Sequence, residues 1–195
     1  MNTKVDLDLK DADISYYPSF FSTAEANRLF RSLLKNTDWI QDDITLFGKT
    51  YKQPRLTAFH ARNLKSYSYS NITMIPRPFT SDLEFISDCL KRVCEIDFSS
   101  CLLNLYRNGQ DSNGWHADNE KELGKNPVIA SVSLGAERQF NLKHRHIKEL
   151  RHKIILEHGS LLLMKGSTQH YWLHQIPKTK KEVGQRINLT FRVIK

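Results

Sequence analysis

His116 and Asp118, separated by one residue, and His174 further on are the side chains best suited to chemistry in this 195-residue chain. Two imidazoles and one carboxylate can hold one face of a ferrous ion and leave the opposite face open. Non-haem iron oxygenases need those open positions for a chelating cosubstrate and for O2. Residues i and i+2 of an extended segment point to the same side, so His116 and Asp118 can meet one ion. The third ligand must come from elsewhere. His170 and His174 both belong to His170-Tyr171-Trp172-Leu173-His174, which reads as an aromatic strand. Position favours His174, which directly precedes Gln175-Ile176-Pro177, a strand-to-loop exit, but spacing alone does not choose between the two. An H-x-D triplet by itself is a weak signal, because a histidine beside a solvated aspartate is common. Zinc suits the set less well, since zinc sites favour thiolates or three histidines and no cysteines cluster here.

A second group lies near the C-terminus. Arg186-Ile187-Asn188-Leu189-Thr190-Phe191-Arg192 alternates polar and apolar residues, the period of a half-buried strand. Arg186, Asn188, Thr190 and Arg192 then share one face, where two fixed cations can grip a dicarboxylate at both ends.

The elements that must position these groups are legible in outline. Ile14 to Tyr17 can form a strand, and residues 1–12 are polar and expected to be loose. Ser22 and Glu25 form a capping box ahead of Leu29, Phe30, Leu33 and Leu34, which predicts a helix over about 23–36. Ser81 and Glu84 repeat the device ahead of Leu83, Ile86, Leu90 and Val93, predicting a second helix. Beyond Cys101 short strand-like runs dominate, at 101–107, 128–134, 138–143, 153–157, 160–164, 169–174 and 186–194, separated by Gly and Asn turns. A helical start followed by many short strands predicts an α+β, mainly β fold: a double-sheet barrel or jelly roll with the N-terminal helices packed outside, which can hold a small ligand in its mouth.

Composition sets the frame. The length suits a single domain spanning 1–195 with a sizeable core, and no repeat or linker divides it. Twenty-nine Lys plus Arg against 21 Asp plus Glu give a net charge of +8, which favours a polyanionic partner, although a basic surface can also serve solubility alone. No run of 18 apolar residues exists to span a membrane, and the polar N-terminus lacks a signal-peptide core. Cys89, Cys94 and Cys101 are odd in number without CxxC spacing, and read as reduced thiols of a cytoplasmic protein.

Several ordered segments narrow the reading. Asn104-Leu105-Tyr106-Arg107-Asn108-Gly109 is followed by Gly114-Trp115-His116-Ala117-Asp118-Asn119-Glu120, Ile129-Ala130-Ser131-Val132-Ser133-Leu134-Gly135, His158-Gly159-Ser160-Leu161-Leu162-Leu163-Met164 and Arg186 to Arg192. Together these strongly resemble the AlkB family of Fe(II)- and 2-oxoglutarate-dependent nucleic-acid dealkylases, especially AlkB homologs 2 and 3 and their bacterial relatives. The resemblance runs from about residue 45 to the C-terminus and implies a double-stranded β-helix. It implies His116, Asp118 and His174 as the iron ligands and so decides against His170. It gives Arg186 the distal carboxylate of 2-oxoglutarate and places Arg192 near the carboxylate that chelates iron. Asn104 and Tyr106, two apart on one strand face, are implied to hydrogen-bond the cosubstrate, with Asn188 and Thr190 lining the same face. The implied groups are Fe(II), 2-oxoglutarate as cosubstrate, and O2.

The substrate side follows the same resemblance over residues 45–70, expected as a recognition lid. Thr45-Leu46-Phe47-Gly48-Lys49-Thr50 reads as a hairpin with an apolar tip and looks like the finger loop that homolog 2 uses on duplex DNA, where a Phe wedge enters the base stack. A Phe47 folded back into the core is the competing reading. Gln53-Pro54-Arg55-Leu56-Thr57-Ala58-Phe59 resembles the nucleotide-recognition lid, which makes Arg55 a substrate contact. Tyr67-Ser68-Tyr69 resembles a base-pocket strand on whose rings a flipped base can stack; a half-buried strand is the alternative. Glu120 resembles an acidic residue facing the alkylated base, where a carboxylate attracts a cationic ring. Asn119 stands where homolog 2 has an aspartate and Trp115 where it has a charged residue, and both departures bear on substrate detail. Lys143 to Lys153 and Lys178 to Lys181 are basic runs able to meet phosphates, or else solvated loops. His144, His146 and His152 read as loop histidines, and His60 receives no role.

The expected activity is oxidative demethylation of bases such as 1-methyladenine and 3-methylcytosine in single- or double-stranded DNA, with RNA as a further candidate. The products are the restored base, formaldehyde, succinate and CO2. Two other readings compete: an oxygenase acting on a protein or small molecule, and a catalytically silent nucleic-acid-binding module. A monomer is expected, in the cytoplasm, with the nucleoid in a bacterium or in the nucleus of a eukaryote.

Overall fold

The computed structural model describes residues 3–46, 49–63, 67–69 and 72–195, with side chains left aside for 45–46, 67–69 and 72–73. Two antiparallel sheets dominate. The larger has seven strands in the order β1 (Val5–Leu7), β2 (Asp13–Tyr17), β13 (Ser160–Lys165), β10 (Ile129–Gly135), β15 (Arg186–Arg192), β8 (Ser100–Tyr106) and β5 (Leu56–Ala61). The smaller has four: β12 (Arg151–Leu156), β11 (Arg138–His144), β14 (Trp172–Ile176) and β9 (Asn113–His116). Two hairpins, β3 (Asp43–Leu46) with β4 (Lys49–Lys52) and β6 (Tyr67–Tyr69) with β7 (Ile72–Met74), stand apart from both. This is the jelly-roll, mainly β architecture expected from the sequence.

Period-2 alternation divides the major sheet between two cores. Ile187, Leu189 and Phe191 of β15, Leu103 and Leu105 of β8 and Val132 and Leu134 of β10 pack against helices α1 (Thr23–Asn36) and α2 (Ser81–Cys94). Their neighbours in sequence turn to the space between the sheets. There Leu102, Ile129, Leu162 and Met164 join Phe140, Leu142, Trp172 and Ile176 of the minor sheet. The amphipathic helices therefore cover one face of the large sheet, and the polar residues of β15 face the barrel. All seven residues of β15 are buried, so the strand is not half-solvated as its alternation suggested. Its polar face lines a cavity instead of meeting water.

Local rules account for the helix starts. Ser22 caps α1 and Glu25 returns the bond, a complete capping box. At α2 the cap is Thr80, one residue earlier than the expected Ser81: its hydroxyl accepts from Leu83 N–H, and Ser81 becomes the first helical residue. Thr80 keeps an extended backbone (ψ 165°), as a cap requires, before the chain turns helical.

Other expectations change. Residues 3–12 are not loose, because Val5–Leu7 pairs with β2 and Trp172 Nε1 donates to Lys10 O at 2.9 Å. The aromatic run 169–174 is not one strand. Thr168–Tyr171 forms a short helix, α3, and β14 begins only at Trp172. Thr168 anchors that turn, its hydroxyl donating to Lys165 O and accepting from Asp13 N–H. Within the expected lid, Leu56–Ala61 is a buried strand of the major sheet. His144 and His152 lie in β11 and β12, not in a loop. His144 is buried, its Nδ1 accepting from two backbone N–H groups and its Nε2 facing Asp11. Among the described residues no helix is long and apolar enough to cross a membrane.

Candidate active site

The two sheets bring His116, Asp118 and His174 together, with ligand atoms all within 4.8 Å of one another. His116 ends β9 and is the direct cross-strand partner of His174 in β14. Asp118 follows two residues later in the chain leaving β9. His174 therefore sits inside a strand, not at its exit, and its ring stacks on Phe140 with centroids 5.2 Å apart. His170, four residues earlier on α3, faces Asn126 and belongs to no ligand cluster among the described residues.

The protonation of the cluster suits a metal. His116 Nδ1 lies 2.8 Å from Gly114 O, which can only accept, so Nδ1 carries the proton and Nε2 is left as the ligand atom. Asn113 Nδ2 donates to that Nε2 at 3.2 Å. Burial holds the His174 imidazole down to about 3, with His116 and Arg192 adding repulsion and Asp118 opposing it. Burial also lowers His116. For Asp118 burial pulls upward, but Arg192 and the two histidines outweigh it and keep the carboxyl below its ordinary value. Two neutral imidazoles and an ionised carboxylate are the forms that bind a divalent ion. Arg192 Nη2 donates to Asp118 Oδ1 at 2.5 Å, so it grips the metal-facing carboxylate.

Deeper in the same cavity lies Arg186, 1% exposed. Its Nη2 donates to Ser133 Oγ at 2.9 Å, while Nε and Nη1 are buried with no hydrogen-bond partner among the described residues. Burial lowers its pKa to about 10, with Tyr106 opposing and Arg138 assisting, so the group stays charged at neutral pH. The Tyr106 ring lies 5.1 Å from this guanidinium and 5.7 Å from that of Arg138. Asn104, Asn188 and Thr190 line the cavity. Asn188 donates to Ser131 Oγ and Val132 O, and Thr190 donates to Asn188 Oδ1.

The residues expected on the substrate side fall differently. Arg55 is buried. Its Nε donates to Asn104 Oδ1 at 2.7 Å and its Nη1 to Ser112 O at 3.4 Å, so it braces the cavity wall from behind. The antiparallel pairing of β5 with β8, which sets Thr57 opposite Asn104, carries it there. The predicted hairpin exists as β3 and β4, with Lys49 exposed on β4, but Phe47 and Gly48 lie outside the described residues. Tyr67, Ser68 and Tyr69 form β6 as backbone, and their side chains are likewise outside the description. Asn119 is exposed and Glu120 half-buried, beside a 3-10 turn at Lys121–Leu123. Sequence reasoning missed Asn113, Ser131, Ser133 and Gln169. The two serines alternate on one face of 129–135 and were readable as a polar stripe, whereas Gln169 gave no periodic signal.

A jelly roll holding two histidines and a carboxylate in one cavity with a buried, half-partnered arginine defines the scaffold of an Fe(II)- and 2-oxoglutarate-dependent oxygenase. Residues 13–192 match the 2OG-Fe(II) oxygenase superfamily. Over 191 residues the chain is 40% identical to alpha-ketoglutarate-dependent dioxygenase alkB homolog 3 of Bos taurus, covering 91% of this chain and 64% of the relative. It is 36% identical over 190 residues to DNA oxidative demethylase ALKBH2 of Homo sapiens, covering 91% of this chain and 72% of the relative. The solved structure of OsALKBH1 superposes with a TM-score of 0.69 at 17% identity, over 98% of this chain and 100% of that one, a likeness of fold. The chain therefore belongs to the AlkB family of the 2OG-Fe(II) oxygenase superfamily. It spans 64% of the length of the bovine homolog 3 and 66% of the human one.

Proposed function

We propose that this chain is an oxidative demethylase of alkylated bases in DNA, such as 1-methyladenine and 3-methylcytosine. The observation that carries the cosubstrate is Arg186, whose two partnerless donors are buried in the cavity that also holds the triad. A guanidinium left in that state asks for a carboxylate. The DNA assignment draws on the relatives named DNA oxidative demethylase.

In this reading His116, Asp118 and His174 hold Fe(II) through Nε2, a carboxylate oxygen and an imidazole nitrogen. When bound, iron with 2-oxoglutarate and O2 supplies oxidation of an N-methyl carbon, so that methylated base, 2-oxoglutarate and O2 become free base, formaldehyde, succinate and CO2. Arg186 binds the distal carboxylate. Arg192 fixes Asp118. Asn104, held by Arg55 at its oxygen, presents its amide N–H groups to the cavity, and Tyr106, Asn188 and Thr190 complete the wall. The buried arginines and the apolar ring of Phe140, Leu102 and Met164 keep bulk water away from the site. Glu120 is assigned to the cationic base. The outer face of the minor sheet supports an anionic partner: Lys143 lies over the exposed Trp115 ring at 4.4 Å, and Arg151 and Lys153 are exposed beside it.

The test is the mass of a 1-methyladenine oligonucleotide after incubation with protein, Fe(II), 2-oxoglutarate and air. The expected outcome is conversion to the unmethylated mass, absent with His116→Ala. Succinate production without any change in the oligonucleotide sinks the DNA assignment and leaves the oxygenase.

A further inference from the structure

Three ligands drawn from two chain segments need something to hold the segments in register before a metal arrives. The strand ladder does only part of this. The pairing of β9 with β14 comprises His116 with His174 and Asn113 with Ile176, with an irregularity between them. It stops at His116, and Asp118 lies two residues beyond. The backbone N–H of Asp118 nevertheless has an acceptor: Gln169 Oε1, at 2.9 Å. That bond is buried, and Gln169 is 0% exposed.

The amide is oriented by this contact. Its Nε2 faces Met164 Sδ at 3.4 Å, and a thioether is a weak acceptor, so the strong bond is the one to Asp118. Gln169 also stands on a rigid base. It belongs to α3, whose first residue Thr168 is 1% exposed and tied to both Lys165 and Asp13. From α3 the chain runs directly into β14 and His174. The Asp118 carboxylate is fixed separately by Arg192 from β15.

We propose that Gln169 is a positioning residue for the metal centre: its side-chain carbonyl replaces the missing strand partner of Asp118 and locks that ligand in register with His174. The proposal rests on the reading of His116, Asp118 and His174 as metal ligands. It assigns Gln169 an effect on metal affinity that a merely space-filling glutamine lacks. Residues that orient metal ligands change affinity by about 10- to 100-fold when altered.

The experiment titrates the metal-free full chain with Mn(II), a redox-stable probe, and follows free Mn(II) by electron paramagnetic resonance. Wild type, Gln169→Met and Gln169→Glu are compared, with thermal melting of each metal-free protein as a control on folding. Methionine keeps the volume and loses the carbonyl, whereas glutamate keeps an oxygen for the Asp118 N–H. The expected result is saturable binding in wild type, binding weakened about 10- to 100-fold in Gln169→Met, and recovery of most of that loss in Gln169→Glu. Binding by a folded Gln169→Met as tight as wild type overturns the positioning role alone, and so does a Gln169→Glu that binds as weakly as the methionine variant. No saturable binding in wild type overturns the metal reading itself. Should the methionine variant fail to fold, amide exchange in metal-free wild type decides. The Asp118 amide is expected to be protected while that of exposed Asn119 exchanges freely, and equal exchange overturns the proposal.

Discussion

A buried guanidinium is costly unless its donors are met, and Arg186 keeps two of them unmet at 1% exposure. The barrel is therefore built around a ligand as much as around its own core. A carboxylate that fills the gap makes two charge-assisted hydrogen bonds, each worth about 1.5–3 kcal/mol. Arg186→Met fills similar space without donors, so 2-oxoglutarate binding should weaken about a hundredfold or more, since roughly 1.4 kcal/mol is a factor of ten. Isothermal titration of the Mn(II)-loaded protein with 2-oxoglutarate checks this, and a change of less than about tenfold would mean that the cosubstrate carboxylate lies elsewhere. Arg186 was legible in the sequence because strand alternation sets it on one face with Asn188, Thr190 and Arg192. Arg55 was not. Its neighbours Asn104 and Ser112 come to it through the pairing of β5 with β8, which no local pattern encodes. The structure places Arg55 against Asn104, a residue that lines the cavity of the triad.

At the level of elements, the sequence disclosed what obeys a period or a cap and hid what depends on tertiary anchoring. The helix over Thr23–Asn36, the seven-residue strands and the jelly-roll class were readable from alternation and from Ser22 and Glu25. The short α3 was not, because its aromatic residues have strand propensity and the turn is imposed by bonds from Thr168 to Lys165 and Asp13. The N-terminal strand was hidden for a similar reason: Val5–Leu7 is exposed or half-exposed, and its pairing with β2 holds it in place. Helix and sheet meet closely at Gly135, where β10 ends with φ +88°. A Cβ there would lie 2.4 Å from Gln185 O and 2.6 Å from Phe30 Cε2 of α1. The left-handed backbone costs a side chain about 1–2 kcal/mol and the overpacking a further 1–3 kcal/mol or so. Gly135→Ala should therefore destabilise the fold by about 2–5 kcal/mol in urea denaturation. A loss under about 1 kcal/mol would show that α1 can move away from the sheet at small cost.

For the whole molecule, the net charge of +8 is not spread evenly around the chemistry. The interior holds four buried arginines: Arg186 and Arg192 line the cavity, Arg55 braces its wall, and Arg138 donates to the carbonyls of Asn108, Asp111 and Pro177, so they contribute little to an external partner. Exposed cations lie on many sides of the molecule, the two helices included, and one group of them sits on the minor sheet and its loops. Arg151 and Lys153 are exposed on β12, and Lys178, Lys180 and Lys181 are exposed between β14 and β15. That connection is stitched to the loop before β9, with Thr179 N–H donating to Gly109 O at 2.8 Å and Gln110 Nε2 to Thr179 O at 3.3 Å, so the lysines project from a braced segment. If they meet phosphates, they do so without reading sequence, by releasing counterions. Each phosphate contact on duplex DNA adds roughly 0.9 to the slope of log affinity against log salt. Replacing Lys178, Lys180 and Lys181 with glutamine should then make that slope shallower by about 2.7 if all three engage, and weaken binding alike across sequences. Fluorescence anisotropy of a labelled duplex over a range of salt measures the slope directly. Demethylation of a short methylated substrate too small to reach the loop should stay unchanged, because none of the three lysines lines the cavity of the triad. An unaltered slope would assign the lysines to solvation and move the phosphate path to Arg151, Lys153 and Lys143 beside Trp115.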